Sequence, residues 1–215
     1  MTLRVVVVKL RAYRRYAMRT DTIRSRNMNR VHNLICSSQW WSRRVKTKLV
    51  PWGVGGVELD GNVLEIGPGF GATTRELARR AGSLTVVEQD EGYCRKLRAA
   101  FDGGVAVVHG DATALPFEDG QFSTVLCFTM LHHVPERRLQ DQVLAEVARV
   151  LAPGGWFAGT DSVGTGALFK LIHVGDTLVP IDPDELPSRL VAAGFEQAAV
   201  DRVQRSFRFR ARKPA

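Results

Sequence analysis

The sequence predicts a doubly wound α/β fold, in which helices cover both faces of a mostly parallel sheet, with a helical extension at the N-terminus. From Gly61 onward, short apolar runs alternate with stretches whose apolar residues recur at helical spacing. The predicted strands are mostly apolar, as expected for strands that are buried on both faces. A glycine-rich turn follows the first strand directly, as at the ligand-binding edge of such sheets.

Capping and turn residues set the predicted boundaries of the elements. Strands are predicted over 63–66, 84–88, 105–109, 123–128, 156–160, 195–203 and 205–212. Helices are predicted over 72–81 and 184–193, closed by Gly82 and Gly194, over 90–101 with Asp90 as cap, and over 136–151. Ahead of the sheet, Ser37 or Ser38 can cap a helix through Trp40 and Trp41 that Pro51 stops.

Length and composition indicate one globular domain with short appendages. The chain has 215 residues, of which 45% are hydrophobic and 24% are charged. Its longest apolar run, Val5–Val8, is far shorter than the roughly 20 residues that cross a bilayer, and no secretory cleavage site follows it. We therefore expect a cytoplasmic protein without a membrane span. The three cysteines are widely separated, so neither a disulfide framework nor a zinc site is predicted, and we expect no metal.

The positive charge is concentrated at the N-terminus. Residues 1–27 hold eight Lys and Arg and one Asp, a balance of +7, so the other 188 residues carry only +1 of the net +8. A nearly neutral body lacks the surface that neutralises phosphates, so nucleic acid is an unlikely partner. We expect 1–27 to be a mobile basic extension, either an over-extended start with natural translation from Met28 or an arm directed to RNA, a membrane or an organelle. We expect a helical cap over 28–60 and the ligand-binding domain over 61–215.

The most specific motif is the run 63–71, Val-Leu-Glu-Ile-Gly-Pro-Gly-Phe-Gly, in which an apolar strand enters a glycine-rich turn ahead of a helix. Glycines allow the tight turn and the close approach of a ligand to the main chain. With Ala72 the run also satisfies the pattern G-x-G-x-x-A, so an NAD-binding domain competes at this point.

Two acidic residues follow at the ends of the next two strands. Glu88 ends the second strand, where a carboxylate accepts both ribose hydroxyls of an adenosine group. Asp111, in the segment 109–112, ends the third strand, where it can accept from the exocyclic amine of adenine while a backbone N–H meets a ring nitrogen. Glu88 suits NAD as well as other adenosine-containing cofactors, so the residues that separate these cofactors lie downstream of it, beginning with the segment that holds Asp111.

Five segments in this order resemble the class I S-adenosylmethionine-dependent methyltransferases. They are 65–71, Glu88, 110–117, 122–134 ending in Leu-His-His-Val, and 151–155. The likeness covers about residues 60–161 and is greatest to the small-molecule branch, which includes the ubiquinone and menaquinone C-methyltransferases. It implies a Rossmann-like, seven-stranded sheet with an antiparallel final strand, and S-adenosylmethionine as cofactor, released as S-adenosylhomocysteine.

The resemblance also implies which residues hold the cofactor. Gly67, Gly69 and Gly71 would lie under the methionine portion, Glu65 would hold its amino group through water, and Phe128 would offer a carbonyl. The remaining implied ligands are Glu88, with Gln89 beside it, on the ribose, and Asp111 and Ala112 on the adenine.

A sulfonium methyl group is already activated for in-line displacement, so the enzyme mainly positions the acceptor and excludes water. No covalent nucleophile is required. If the acceptor's proton needs a base, His132 and His133 are the candidates, and the alternative is that they only shape the pocket. We expect the acceptor pocket between Trp40 and Trp41, the two histidines, and the insertion 164–179 with Phe169, Ile172 and His173; this mostly apolar lining favours an aromatic or lipid-like small molecule.

Three alternatives remain from the sequence. Residues 65–69 also resemble the ribosomal RNA adenine dimethylases, but Phe-Thr-Met-Leu over 128–131 replaces the Asn-x-Pro-Tyr-like motif that would hold a flipped base. A nicotinamide-dependent oxidoreductase is disfavoured because the sequence has no Tyr-x-x-x-Lys pair. A non-catalytic protein that keeps the fold for partner binding is the third.

Overall fold

The computed structural model describes residues 34–164, 169 and 174–215. The predicted basic extension over 1–27, the start of the predicted cap, and Ile172 and His173 of the insertion lie outside the described residues.

The described elements follow the predicted alternation of strands and helices. The helices are α1 (Gln39–Arg44), continued by a π-helical turn (Val45–Leu49) and α2 (Val50–Gly53), then α3 (Ala72–Leu77), α4 (Glu91–Phe101), a 3₁₀ turn (Leu131–His133), α5 (Arg137–Val150) and α6 (Leu186–Ala192). The strands are β1 (Asn62–Ile66), β2 (Ser83–Glu88), β3 (Ala106–His109), β4 (Phe122–Phe128), β5 (Leu151–Ser162), β6 (Glu196–Val203) and β7 (Ser206–Arg212).

The seven strands form one sheet in the order β3-β2-β1-β4-β5-β7-β6. Strands β1 to β5 pair in parallel, and β7 runs antiparallel between β5 and β6. This confirms the predicted seven-stranded, mostly parallel sheet with an antiparallel final strand. The chain order reverses between β1 and β4, and in open α/β sheets this is where ligands bind.

Two apolar cores lie on opposite faces of the sheet, as a doubly wound fold requires. Val63 and Leu64 are neighbours in β1 and enter different cores, because successive strand residues point to opposite faces. One core packs against α5 and α6, and the other against α3, α4 and the helix that precedes the sheet. None of the helices in the described ranges has the length and apolarity needed to cross a membrane.

The helix that precedes the sheet corrects the sequence prediction at Pro51. Ser38 caps it as expected, accepting a hydrogen bond from the backbone N–H of Trp41 at 3.1 Å. The chain nevertheless stays helical through Pro51 to Gly53. The cause is the π-helical turn, after which Pro51 enters a new α-helical turn at its start, where the missing N–H costs little.

The prediction of a helix over 72–81 closed by Gly82 is also wrong at its C-terminal end. The helix ends at Leu77, and the chain continues in turns to Arg80. Gly82 serves another purpose, because a Cβ there would overlap the carbonyl of Asp60. The close passage of two backbones explains the glycine.

Asp90 caps α4 as predicted, since its Oδ1 accepts a hydrogen bond from the N–H of Tyr93 at 3.0 Å. We expect Asp90→Ala to lower the free energy of unfolding by about 1 kcal/mol in urea titrations, because one N–H of the first turn loses its acceptor. Asp90→Ser, which keeps a capping oxygen, should recover most of that loss. Equal losses for both variants would show that the cap does not stabilise α4.

Candidate functional site

A cavity of about 290 Å³ lies at the carboxyl ends of β1, β2 and β4, where the strand order reverses. It is lined by the turn after β1, the residues after β2 and β3, the segment after β4, and Trp41 with Cys36 from the N-terminal helical region. Of the predicted cofactor ligands, those that line it are Gly67, Gly69, Glu88, Gln89, Asp111, Ala112 and Phe128. The tertiary fold therefore gathers most of the predicted site residues around one space.

The turn after β1 requires glycine for two separate reasons. Gly67, Gly69 and Gly71 all have positive φ, at 66°, 53° and 74°, a region that L side chains rarely adopt. A Cβ on Gly67 would also overlap the side chain of Met130. Because no side chain projects from Gly67 and Gly69 themselves, a ligand can approach the main chain there closely.

Gly71 is the one glycine of this turn that does not line the cavity. A Cβ on it would lie 2.7 Å from Cδ2 of Leu97, on α4. It therefore allows α3 to begin close against α4, and its direct contact with a cofactor stays a prediction.

Glu88 joins the two turns that border the cavity. Its Oε2 accepts from the N–H of Gly69 and its Oε1 from the N–H of Asp90, both at 3.0 Å. The side chain is 9% exposed, and burial raises the pKa of its carboxyl group. These two hydrogen bonds oppose that shift, so the carboxylate is held in a fixed orientation beside the cavity.

Glu65 lies behind the glycine turn and is not one of the described residues that line the cavity. Its carboxyl oxygens accept hydrogen bonds from the hydroxyls of Thr73 and Thr74, the latter at 2.6 Å. The side chain is 1% exposed, and burial raises its pKa to about 7. Glu65 ties β1 to the first turn of α3, and its role on the methionine amino group stays a prediction.

The other predicted ligands lie at the end of a strand or directly after one. Asp111 is half-buried, and its Oδ1 accepts from both the N–H and the hydroxyl of Thr113 at 2.8 Å. Gln89 and Ala112, which directly follow Glu88 and Asp111 in sequence, also line the cavity. Phe128 ends β4 and is 5% exposed.

The charge of the cavity lining has one sign. Glu88, Asp90 and Asp111 line it, and no Lys or Arg does so among the residues that the structure describes. Such a lining attracts a ligand with a sulfonium and an ammonium group, and it repels the diphosphate of a nicotinamide cofactor. Of the two adenosine cofactors that the sequence left open, the charge of the lining therefore favours S-adenosylmethionine over a nicotinamide cofactor.

The two candidate histidines occupy different environments. His133 lines the cavity, and its Nδ1 lies 3.2 Å from the carbonyl oxygen of Thr177. A carbonyl oxygen can only accept, so Nδ1 donates this hydrogen bond and orients the ring. His132 is 2% exposed and is not among the described residues that line the cavity. The centroid of its ring lies 4.2 Å from the centroid of the His133 ring.

Asp161, a residue that the sequence analysis did not identify, completes this cluster. Its carboxylate accepts from the Nδ1 of His132 and, at 3.3 Å, from the backbone N–H of His132. Asp161 is the next-to-last residue of β5 and is 1% exposed. No local motif marks it, because it lies 29 residues from its partner and reaches it only through the pairing of β4 with β5.

Other lining residues were also missed. Phe70 and Tyr93 meet edge to face with centroids 4.9 Å apart, and both line the cavity. Burial and the nearby carboxylates raise the pKa of Tyr93 to about 12. Cys36 also lines the cavity, and burial raises the pKa of its thiol to about 11, so it is protonated at neutral pH. Trp41 lies at the cavity as predicted, whereas Trp40 is 66% exposed and is not part of the described lining.

Comparison with protein families identifies the part of the chain that builds this site. A family model described as a methyltransferase domain matches residues 63–155. The match begins in β1 and ends in β5, so it includes every strand whose carboxyl end borders the cavity.

Three curated relatives are similar to parts of this chain. A fatty-acid O-methyltransferase of Mycolicibacterium smegmatis is 39% identical over 46% of this chain and 36% of its own length. A demethylmenaquinone methyltransferase of Staphylococcus aureus is 33% identical over 61% of this chain and 54% of its own. An rRNA adenine N-6-methyltransferase of Aeromicrobium erythreum is 42% identical over 32% of this chain and 21% of its own. The chain thus spans about a fifth to a half of these relatives.

A solved structure shows the same fold. A phospholethanolamine N-methyltransferase 2 of Haemonchus contortus, in complex with phosphomonomethylethanolamine and S-adenosylhomocysteine, matches with a TM-score of 0.64 at 17% identity. The match covers 75% of this chain and 50% of that one.

The raised pKa of Glu65 makes stability depend on pH. Because the folded state holds this proton up to about pH 7 and the unfolded state releases it near pH 4.5, the wild type loses stability as pH rises between these values. Glu65→Gln removes this dependence. Urea titrations from acid to neutral pH should therefore show the variant gaining up to about 3 kcal/mol relative to wild type.

The matched control for this experiment is Glu118→Gln, an exposed carboxylate outside the cavity lining. Its stability should follow the wild-type pH profile. Parallel profiles for wild type and Glu65→Gln would contradict the proposed titration.

Proposed function

We propose that this chain, which carries a class I S-adenosylmethionine-dependent methyltransferase domain, transfers the methyl group of its cofactor to a small apolar acceptor. The observation that carries the proposal is the cavity at the strand-order reversal, with its glycine turn and with charged lining residues that are all acidic among those the structure describes. This combination suits a cationic adenosine cofactor and is poorly suited to a phosphate-bearing one.

The residues present fit this cofactor. Gly67 and Gly69 offer bare main chain at the cavity, which suits the methionine portion. Glu88 is pre-oriented by two backbone N–H groups, which suits acceptance from two ribose hydroxyls, and Asp111 with Ala112 suits the adenine. When bound, S-adenosylmethionine supplies a methyl group that is ready for in-line displacement. The chain's own task is then to orient the acceptor and to exclude water.

We propose His133 as the group that receives the acceptor's proton. It lines the cavity, and its contact with the carbonyl oxygen of Thr177 fixes the orientation of its ring there. His132 and Asp161 lie behind it, where the carboxylate fixes the orientation of the His132 ring and the His132 ring packs on that of His133. In this arrangement Asp161 is a positioning residue and His133 is the candidate catalytic residue.

The apolar part of the lining supports a small, apolar acceptor. Trp41, Met130 and Val134 contribute to the cavity beside His133, so an acceptor with an apolar body and one nucleophilic atom would fit. Two of the relatives are named for fatty-acid and menaquinone substrates, which belong to this chemical class. We also propose that the protein is cytoplasmic.

The match to an rRNA adenine N-6-methyltransferase makes RNA the second candidate acceptor. That match covers only 32% of this chain. After β4, where a flipped adenine would need an amide and an aromatic platform, the chain has Thr129 and Met130, and Met130 packs against Gly67. The local chemistry therefore favours a small molecule over a base.

Calorimetry with S-adenosylmethionine and S-adenosylhomocysteine tests the cofactor site directly. We expect wild-type binding in the micromolar range, about −8 kcal/mol. Glu88→Ala and Asp111→Ala should each weaken it at least about tenfold, because each removes an acceptor for a ligand hydroxyl or amine.

Glu118→Ala is the matched control, since it deletes an exposed carboxylate outside the cavity. It should bind like wild type. A folded wild type that binds neither compound would refute the enzyme and favour the non-catalytic alternative.

The proton-accepting role is tested by following labelled methyl transfer to a panel of fatty acids, quinols and short RNAs. With the acceptor found, His133→Ala should lower kcat by about 10²-fold or more. Asp161→Asn should lower kcat by about tenfold and change its pH profile, with KM for the cofactor unchanged, because only the orientation of His132 is lost. Asp119→Asn, at an exposed ion pair with Arg149, is the control. Unchanged kcat in both site variants would assign the histidines to pocket shape alone.

A further inference from the structure

A strongly basic surface lies on the helix that precedes the sheet. Arg43 and Arg44 end α1, and Lys46 and Lys48 lie in the π-helical turn. All four side chains are exposed. We call these four residues the basic face.

None of these four cations has an acidic partner among the described residues. Residues 34–57 contain no Asp or Glu, and the ion pairs of the structure all lie elsewhere. Arg44 instead lies over the ring of Trp40, with its Cζ 6.0 Å from the ring centroid. Arg43 with Lys46, and Arg44 with Lys48, are neighbours at helical spacing, so like charges face each other at a small cost in stability.

The basic face is held rigidly outward. Val45, Leu49 and Val50, on the opposite side of the same helix, are at most 9% exposed and belong to the core beneath the sheet. The basic side therefore cannot turn inward without exposing this core. Trp40 lies on the same surface, since Arg44 lies over its ring and the side chain is 66% exposed, and Leu34, earlier in the same N-terminal segment, is 72% exposed.

The net charge of the chain after residue 57 has the opposite sign. From residue 58 onward the sequence holds 21 Asp and Glu against 17 Lys and Arg. An anionic surface therefore attracts the basic face more strongly than it attracts the part of the chain after residue 57.

We propose that the basic face, with Trp40 and Leu34, docks the protein on an anionic lipid surface. Exposed cations next to an exposed tryptophan are the combination that binds at the headgroup level of a bilayer, where the charges meet lipid phosphates and the indole enters the interface. Trp41, the neighbour of Trp40, lines the cavity, so docking brings the cavity to the lipid surface. Bringing the cavity to the lipid surface helps an apolar acceptor to enter it. This benefit rests on the proposed function, whereas docking itself does not.

The test is sedimentation of the full chain with vesicles of phosphatidylcholine, with and without phosphatidylglycerol, at low and high salt. We expect binding only with phosphatidylglycerol, weakened by salt. Replacing all four residues of the basic face by Gln should lower the partition coefficient at least about tenfold, because each cation near an anionic bilayer contributes to binding. Circular dichroism and thermal unfolding should show that this variant remains folded, because all four side chains are exposed.

The basic residues of 1–27 need their own control, because they also attract anionic lipid. The matched variant carries four replacements by Gln there, at Arg11, Arg14, Arg15 and Arg19. We expect this variant to bind vesicles, and adding the four replacements of the basic face to it should remove that binding. Brominated lipid should quench tryptophan fluorescence in the bound protein, and the quenching should be lost in Trp40→Gln. This quenching reports the location of α1 itself.

Three results would overturn the proposal. In the first, the basic-face variant binds vesicles as strongly as the wild type does. In the second, the 1–27 variant loses all vesicle binding while the basic-face variant keeps it. In the third, the same four residues bind RNA and the protein does not bind vesicles. Vesicle binding without cofactor binding would refute the proposed function and leave the docking surface intact. Cofactor binding without vesicle binding would do the reverse.

Discussion

The carboxylate of Glu88 is the constraint on which the rest of the site depends. One oxygen holds the glycine turn after β1 and the other holds the chain as it enters α4. A single buried side chain thereby sets the distance between the two walls of the cavity. Desolvation raises the pKa of this group, and only the backbone donors oppose the shift. The same residue is therefore both a structural clamp and the best-placed acceptor for a ligand.

The opposite signs of charge inside and outside the cavity divide the molecule into two kinds of surface. Acidic side chains line the cavity, and basic side chains that have no acidic partner among the described residues lie on the helix beside it. Trp41 is the point where the two meet, since it lines the cavity and follows directly on an exposed tryptophan. A nearly neutral net charge after residue 27 concealed this division, because a sum over the sequence carries no information about position.

The sequence predicted those parts of the fold that local patterns specify. The order of strands and helices, the cap at Asp90 and the glycine turn at Gly67 all follow from residues within a few positions of one another. The two boundary errors have one cause. In the sequence Pro51 and Gly82 both match helix stops, but Pro51 lies at the start of a new turn after a π-helical segment and Gly82 allows another backbone to pass close by. Those environments come from neighbours in space.

The sequence by itself determined which residues could form a cofactor site, because the glycines and carboxylates follow successive strands, and the carboxyl ends of parallel strands meet at one edge of a sheet. It did not determine which of them face the ligand. Only the tertiary structure placed Glu65 and Gly71 behind the cavity wall, and only the pairing of β4 with β5 brought Asp161 to His132 across 29 residues. The physical reason is that facing and pairing depend on contacts between distant parts of the chain, which local periodicity does not encode.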